Sequence, residues 1–218
     1  MNKKTTVVFD LDGTLLNTLD DLAASLNYTM SEMGFPSRTL EEVRQFVGNG
    51  IAVLLGRAVP EETDDETVEK AITVFKGHYG VHCNDRTAPY EGILPLIDRL
   101  QERDIKMAIV SNKADFATKE LSRIYFQGKI PVAIGEKEAE GIRKKPAPDT
   151  VFKALELLGS TVEDAVYVGD SEVDIATAEN AGMDAILCSW GFRDVEVLKE
   201  LGAEVIIDDP SELLSFVK

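Results

Sequence analysis

Six short apolar runs without polar alternation constrain this chain more than any other feature. They are Thr6–Phe9, Lys106–Val110, Pro131–Ile134, Ala165–Val168, Ala185–Cys188 and Glu204–Ile207. A strand with one wet face alternates apolar and polar side chains. A strand that is apolar throughout has both faces covered, as in a parallel sheet flanked by helices. Helical patterns separate the runs. In ILPLIDRLQERD, Leu94, Ile97 and Leu100, with Leu96 nearby, form the expected apolar side. In DTVFKALELLG, Val151, Phe152, Leu155 and Leu158 do so, and Gly159 is placed to cap the end; VDIATAENAG ends in the same way at Gly182. Strands alternating with helices predict an α/β fold built on a doubly wound parallel sheet.

Residues 16–85 break the alternation. They hold no convincing strand, and LDDLAASLNYTMSEMGF, TLEEVRQFV, GIAVLLGRAV and ETVEKAITVFKGHYG all read as helices. The chain then returns through NDRTAPYEG, a connector marked by Pro and Gly. The expected organisation is an α/β core of residues 1–15 and 86–218, interrupted after its first strand by an all-helical cap domain of residues 16–85. Ligands of open α/β sheets bind outside the carboxyl ends of the strands, so an insert leaving from such an end is expected to act as a lid.

Polar clusters follow the apolar runs. Asp10 and Asp12 end the first, in FDLDGT. Residues i and i+2 on a strand point the same way, and two adjacent carboxylates favour a raised pKa or a bound cation. A hard divalent cation such as Mg²⁺ suits oxygen ligands; helix capping would also account for the pair. Gly13 permits a tight turn. In YVGDSEVDIATAENAG the helix is expected to start near Asp170, which would put Asp170 and Asp174 on one helix face. An N-cap with a first-turn acid is the plainer account of these two. Ser111 and Asn112, in MAIVSNK, can offer a hydroxyl and an N–H to a phosphate oxygen, or simply turn the chain. Lys145 precedes Pro146, which holds it extended; Lys144 competes with it.

Composition narrows the partners. The formal net charge is −16, which argues against nucleic acid and against anionic membrane surfaces. An anionic small molecule would need a local device such as a metal ion, N–H groups or a few lysines. The two cysteines, Cys83 and Cys188, make no metal or redox pattern. The apolar run at the start ends at Asp10, too short for a signal peptide. A cytoplasmic protein, monomer or homodimer, is expected. Nothing in the sequence accounts for His78, His82 or Cys83.

Taken together, these clusters resemble the haloacid dehalogenase superfamily of phosphohydrolases along essentially the whole chain, with a Rossmann-like core and a helical cap. The DxDGT signature stands here as Asp10-Leu11-Asp12-Gly13-Thr14, followed by Ser111, by Lys145 in KPAPD, and by Gly169–Asp174 as GDSxxD. VRQFVGNG, TAPYEGI and KPAPD are similar to the phosphoglycolate phosphatase subgroup, although Thr150 stands where that subgroup often has Pro. The resemblance implies a phosphatase acting on a small-molecule phosphate. Asp10 would be the nucleophile that forms an aspartyl-phosphate, and Asp12 the acid and base. Mg²⁺ would be held by Asp10, by Asp12 through its carbonyl, and by Asp170, supported by Asp174. Ser111, Lys145, Gly13 and Asn112 would surround the phosphate. Gly48, Asn49 and Gly50 of the cap would reach the substrate, and Arg44 and Arg57 could meet a substrate carboxylate. A pyrophosphatase, a nucleotidase and a β-phosphoglucomutase-like phosphotransferase share the first signature. A phospho-accepting signalling domain and a silent interaction module are the readings outside enzymes of this kind.

Overall fold

The computed structural model describes residues 2–218. The strands are β1 (Thr6–Phe9), β2 (Leu16–Asn17), β3 (Ala88–Pro89), β4 (Lys106–Ala114), β5 (Val132–Glu136), β6 (Ala165–Gly169), β7 (Asp184–Cys188) and β8 (Ile206–Ile207). The α-helices are α1 (Leu19–Glu32), α2 (Leu40–Phe46), α3 (Ile51–Ala58), α4 (Asp65–His82), α5 (Ile93–Glu102), α6 (Asp115–Phe126), α7 (Asp149–Leu158), α8 (Glu172–Ala181) and α9 (Val195–Glu200). The chain forms two compact units, one running to Leu16 and resuming over Pro89–Lys218, the other Asn17–Ala88.

In the first unit, six strands form one sheet in the order β5-β4-β1-β6-β7-β8, and the pairings are parallel. Both faces are covered, as the unalternated runs predict. In β1, Val7 and Phe9 join one apolar cluster with Ile93, Ile97 and Leu100 of α5. Val8 points the other way, to Val151, Ala154 and Leu155 of α7 and Ala178 of α8. Each such side chain, fully buried, contributes about 1.5–3 kcal/mol. Two helical residues expected inside lie outside: Leu94 is 44% and Phe152 46% exposed. The buried stripe of α5 is Ile93, Leu96, Ile97 and Leu100, the i, i+3, i+4, i+7 spacing. Leu94, one residue off it, turns about 100° away, as Phe152 does after Val151.

β4 runs past Val110 through Ser111, Asn112 and Lys113. Its register with β5 shifts there: Val110 pairs with Ile134 and Ala114 with Glu136. Three residues of β4 therefore face Gly135 alone, which is a bulge. A Cβ on Gly135 would stand 2.5 Å from the Lys113 carbonyl oxygen and 2.4 Å from the Asp115 Cα, so the bulge requires glycine.

The second unit is helical, as its sequence predicts. α1 packs on α4 and α2, and α3 on α2 and α4, around Leu26, Met30, Val43, Leu55 and Phe75. α2 starts with a capping box, in which Thr39 accepts from Glu42 N and Glu42 from Thr39 N. Buried Asp21 of α1 accepts the N–H groups of Arg86 and Thr87 and the Thr87 hydroxyl, at 2.8–3.0 Å. His78 stacks between Tyr28 and His82, and its Nδ1 meets Ser25 Oγ at 2.9 Å. These bonds give His78 a structural place that the sequence did not suggest. Cys83 and Cys188 are free and buried. No helix among the described residues is long and apolar enough to cross a membrane.

Candidate active site

The strand order places the site. From β1 the chain builds outward through β4 to β5, then crosses back to β6 on the other side of β1. Such a reversal leaves a crevice at the carboxyl ends of the central strands. Asp10 follows β1, its N–H extending the ladder to the Val168 carbonyl at 2.8 Å. Ser111 sits in the bulge of β4. Asp170 follows β6.

Five buried side chains converge there, Lys145, Asp10, Asp170, Asp174 and Tyr167. Lys145, 3% exposed, donates from Nζ to Asp10 Oδ1 at 2.7 Å, to Asp174 Oδ1 at 2.8 Å and to the Tyr167 hydroxyl at 3.1 Å. Its carbonyl accepts from Asn112 Nδ2 at 3.0 Å, which joins the β4 bulge to the loop before α7. The peptide bond from Lys145 to Pro146 is cis. Lys144 pairs instead with Glu138 at 3.0 Å, so Lys145 is the lysine that enters the site. Asp170 is held on two sides, accepting from the Thr14 hydroxyl at 3.4 Å and from Phe192 N at 2.6 Å.

Asp170 and Asp174 meet for a reason other than the expected shared helix face. α8 begins at Glu172, with Ser171 as its N-cap, so Asp170 lies before the helix. Asp174 closes a capping box: its Oδ2 accepts from the N–H groups of Asp170 and Ser171, both at 3.1 Å, and from the Ser171 hydroxyl at 2.6 Å. Its Oδ1 accepts from Lys145 and, at 3.1 Å, from the Tyr167 hydroxyl. Five donors occupy Asp174, so its part is to hold Lys145 and the Asp170 turn in place.

Oxygens of Asp10, Asp170 and Asp174 lie within 4.8 Å of one another. Three buried carboxylates thus crowd together, and the Lys145 ammonium bonds two of them, Asp10 and Asp174. Burial pushes the Asp10 carboxyl up to about 7; Lys145 opposes the rise, and Asp174 adds to it. Burial, then Asp174 and Asp10, hold Asp170 well above the usual carboxylate range. Burial works against ionised Asp174, but Lys145 and the Ser171 and Asp170 donors keep it below that range. For Lys145 burial also opposes charge, and Asp10 and Asp174 overcome it. Three carboxylates against one ammonium, with Asp10 and Asp170 far less saturated by donors than Asp174, make a donor set that fits a hard divalent cation.

Asp12 stands apart from this group. Its Oδ1 accepts from Lys113 Nζ at 2.7 Å and its Oδ2 from Ser111 Oγ at 3.4 Å. Gly13 has φ +88°, and its N–H donates to the Leu16 carbonyl at 2.9 Å. It supplies room rather than a donor, since a Cβ there would lie 2.3 Å from Asp170 Oδ2. Gly48, Asn49 and Gly50 link α2 to α3 in the helical unit, where Gly48 and Gly50 take φ of +123° and +87°. Arg57 donates to the Phe46 carbonyl at 3.0 Å and Arg44 to Glu41 at 3.4 Å.

Sequence reasoning missed Lys113, Tyr167, Ser171 and the segment after β7. In that segment Trp190 Nε1 donates to the Thr14 carbonyl at 3.0 Å, and a Cβ on Gly191 would meet Asp170 Cβ at 2.2 Å. Lys113 was within reach, standing two residues from Ser111 in the same cluster.

Residues 7–188 match the sequence profile of the haloacid dehalogenase-like hydrolases. Among curated relatives, the phosphoglycolate phosphatase of Aquifex aeolicus (strain VF5) is 34% identical over 187 residues, 85% of each chain. That of Agrobacterium fabrum (strain C58 / ATCC 33970) is 32% identical over 209 residues, 93% of this chain and 87% of its own. A solved protein from Lactobacillus delbrueckii subsp. bulgaricus, provisionally assigned as a phosphoglycolate phosphatase, superposes with a TM-score of 0.93 at 38% identity over 97% of both chains.

Proposed function

The chain belongs to the haloacid dehalogenase-like hydrolases, and from that premise we propose that it is a Mg²⁺-dependent phosphatase. Its substrate would be a small phosphomonoester, with phosphoglycolate the first candidate on the names of its relatives. One observation carries the reading: buried Asp10, at the switch point of the sheet, is bonded to Lys145 and neighboured by Asp170. Carboxylate oxygens of Asp10 and Asp170, with the main-chain carbonyl of Asp12, would hold the cation. When bound, it would neutralise charge that otherwise opposes attack on a phosphate dianion.

Asp10 attacks phosphorus, and the ester P–O bond breaks as the new P–O bond forms, leaving phosphate on Asp10. Asp12 gives its proton to the departing alkoxide and becomes a carboxylate. It then takes a proton from a water whose oxygen attacks the aspartyl-phosphate, which frees inorganic phosphate and restores Asp10. Ser111, the Asn112 N–H and Lys145 hold the non-bridging oxygens, where charge spreads as the bond breaks. Asp174 keeps the Lys145 ammonium aimed at Asp10. The helical unit would act as the cap, with Gly48, Asn49 and Gly50 facing the substrate.

A panel of metabolite phosphates with Mg²⁺ and with chelator tests this. Turnover should require the cation and fall to background in Asp10→Asn, with deamidation excluded by mass spectrometry. Activity in that variant would overturn the nucleophile. Phosphate retained on Asp10 without turnover would favour a signalling domain. Phosphoglycolate turned over no faster than p-nitrophenyl phosphate would remove the substrate assignment alone.

A further inference from the structure

Resting on that reading, we infer that Lys113 is a positioning residue for proton transfer. It pins one oxygen of Asp12 and thereby leaves the other as the oxygen that moves the proton. Lys113 Nζ meets Asp12 Oδ1 at 2.7 Å, with the two side chains 4% and 15% exposed. A buried ammonium is costly unless it is paired, so this lysine is not a solvated surface group. Its backbone is also fixed. It lies in the β4 bulge, where its carbonyl leaves no room for a Cβ on Gly135, and its N–H donates to Ser111 Oγ at 3.2 Å. Ser111 Oγ in turn faces Asp12 Oδ2 at 3.4 Å. Since Ser111 holds a phosphate oxygen, Oδ2 is the atom turned toward the reacting group, and Oδ1 is the one tethered away.

The two lysines therefore divide the two acids of the first signature. Lys145 takes Asp10 and Lys113 takes Asp12. Like charges two residues apart are each drawn to a different ammonium, which separates nucleophile from acid/base. Without Lys113, the Asp12 carboxylate loses its anchor and samples rotamers in which neither oxygen addresses the leaving group.

The test uses two esters on one preparation of enzyme. An alkoxide leaves poorly and needs the proton; p-nitrophenolate leaves unaided. In Lys113→Met, kcat/KM for phosphoglycolate should fall about a hundredfold, within the range general acid catalysis supplies, while kcat/KM for p-nitrophenyl phosphate stays within about threefold. A burst of p-nitrophenolate should appear, because water activation by Asp12 also slows. Lys113→Arg should restore part of the alkyl-ester rate. The ratio of the two esters is independent of the folded fraction, and Lys113→Gln supplies the same ratio if the Met variant is insoluble. An equal loss on both esters would mean that Lys113 holds the phosphate itself, and no loss on either would mean that it positions nothing; each overturns the inference. Asp12→Asn should show the same leaving-group dependence. If it does not, the acid/base assignment fails, independently of Lys113.

Discussion

Saturation decides what a buried polar side chain can do. Asp174 accepts from Lys145, Tyr167, the Ser171 hydroxyl and two N–H groups, which leaves it as scaffolding. Thr150 is the opposite case: it is 1% exposed, in the first turn of α7, and its hydroxyl has no hydrogen-bond partner. An unpaired buried hydroxyl costs about 1–3 kcal/mol. Thr150→Val keeps the shape and removes the hydroxyl, so it should match or exceed the parent by up to about 1 kcal/mol in urea unfolding; a clear loss would show the hydroxyl to be bonded. The places of Asp10 and Asp170, the acids the proposed chemistry uses, were legible at this scale, because each follows an apolar strand. Tyr167 was not, because within β6 it reads as one more core aromatic until Lys145 and Asp174 arrive from elsewhere in the chain.

Among the elements, the β4 bulge and α6 work as one piece. Asp115, the first residue of α6, accepts from Gly135 N at 3.0 Å and pairs with Lys119 at 2.7 Å. Burial works against its charge, but Lys119, the Gly135 N–H and Lys137 hold its carboxyl below the usual range. A depressed folded-state pKa contributes stability that is complete above the unfolded value, about 4, and is lost as pH falls through the folded one. The Tm difference between the parent and Asp115→Asn should therefore be constant near neutrality and shrink below about pH 4. A difference that persists at lower pH would remove Asp115 as the tie. Strand identity was legible from unalternated apolar runs, and the helical insert from its lack of them. Neither the bulge nor the start of α8 was, since both are fixed by crowding and capping bonds between residues whose types suit either outcome.

Across the whole molecule, a formal charge of −16 has a local exception, since Lys145 and Lys113 are buried in ion pairs with Asp10, Asp174 and Asp12. The two units also make separate cores. Leu15 and Tyr90 flank the insertion, and Tyr90 N donates to the Leu15 carbonyl at 3.2 Å, so the chain leaves and re-enters the sheet unit at neighbouring backbone. A chain in which a short Gly/Ser linker replaces residues 17–88 should fold with a single cooperative thermal transition by circular dichroism; an insoluble or non-cooperative product would show that the sheet needs its insert. That closure makes the length of the insert cheap to change. Seen from the six strands, everything between Leu16 and Pro89 is a loop whose ends are already joined, and the entropy of closing a loop grows only with the logarithm of its length. What lies between those two residues can lengthen at little entropic cost without touching Asp10, Asp12, Ser111, Lys145 or Asp170, all of which belong to the sheet unit.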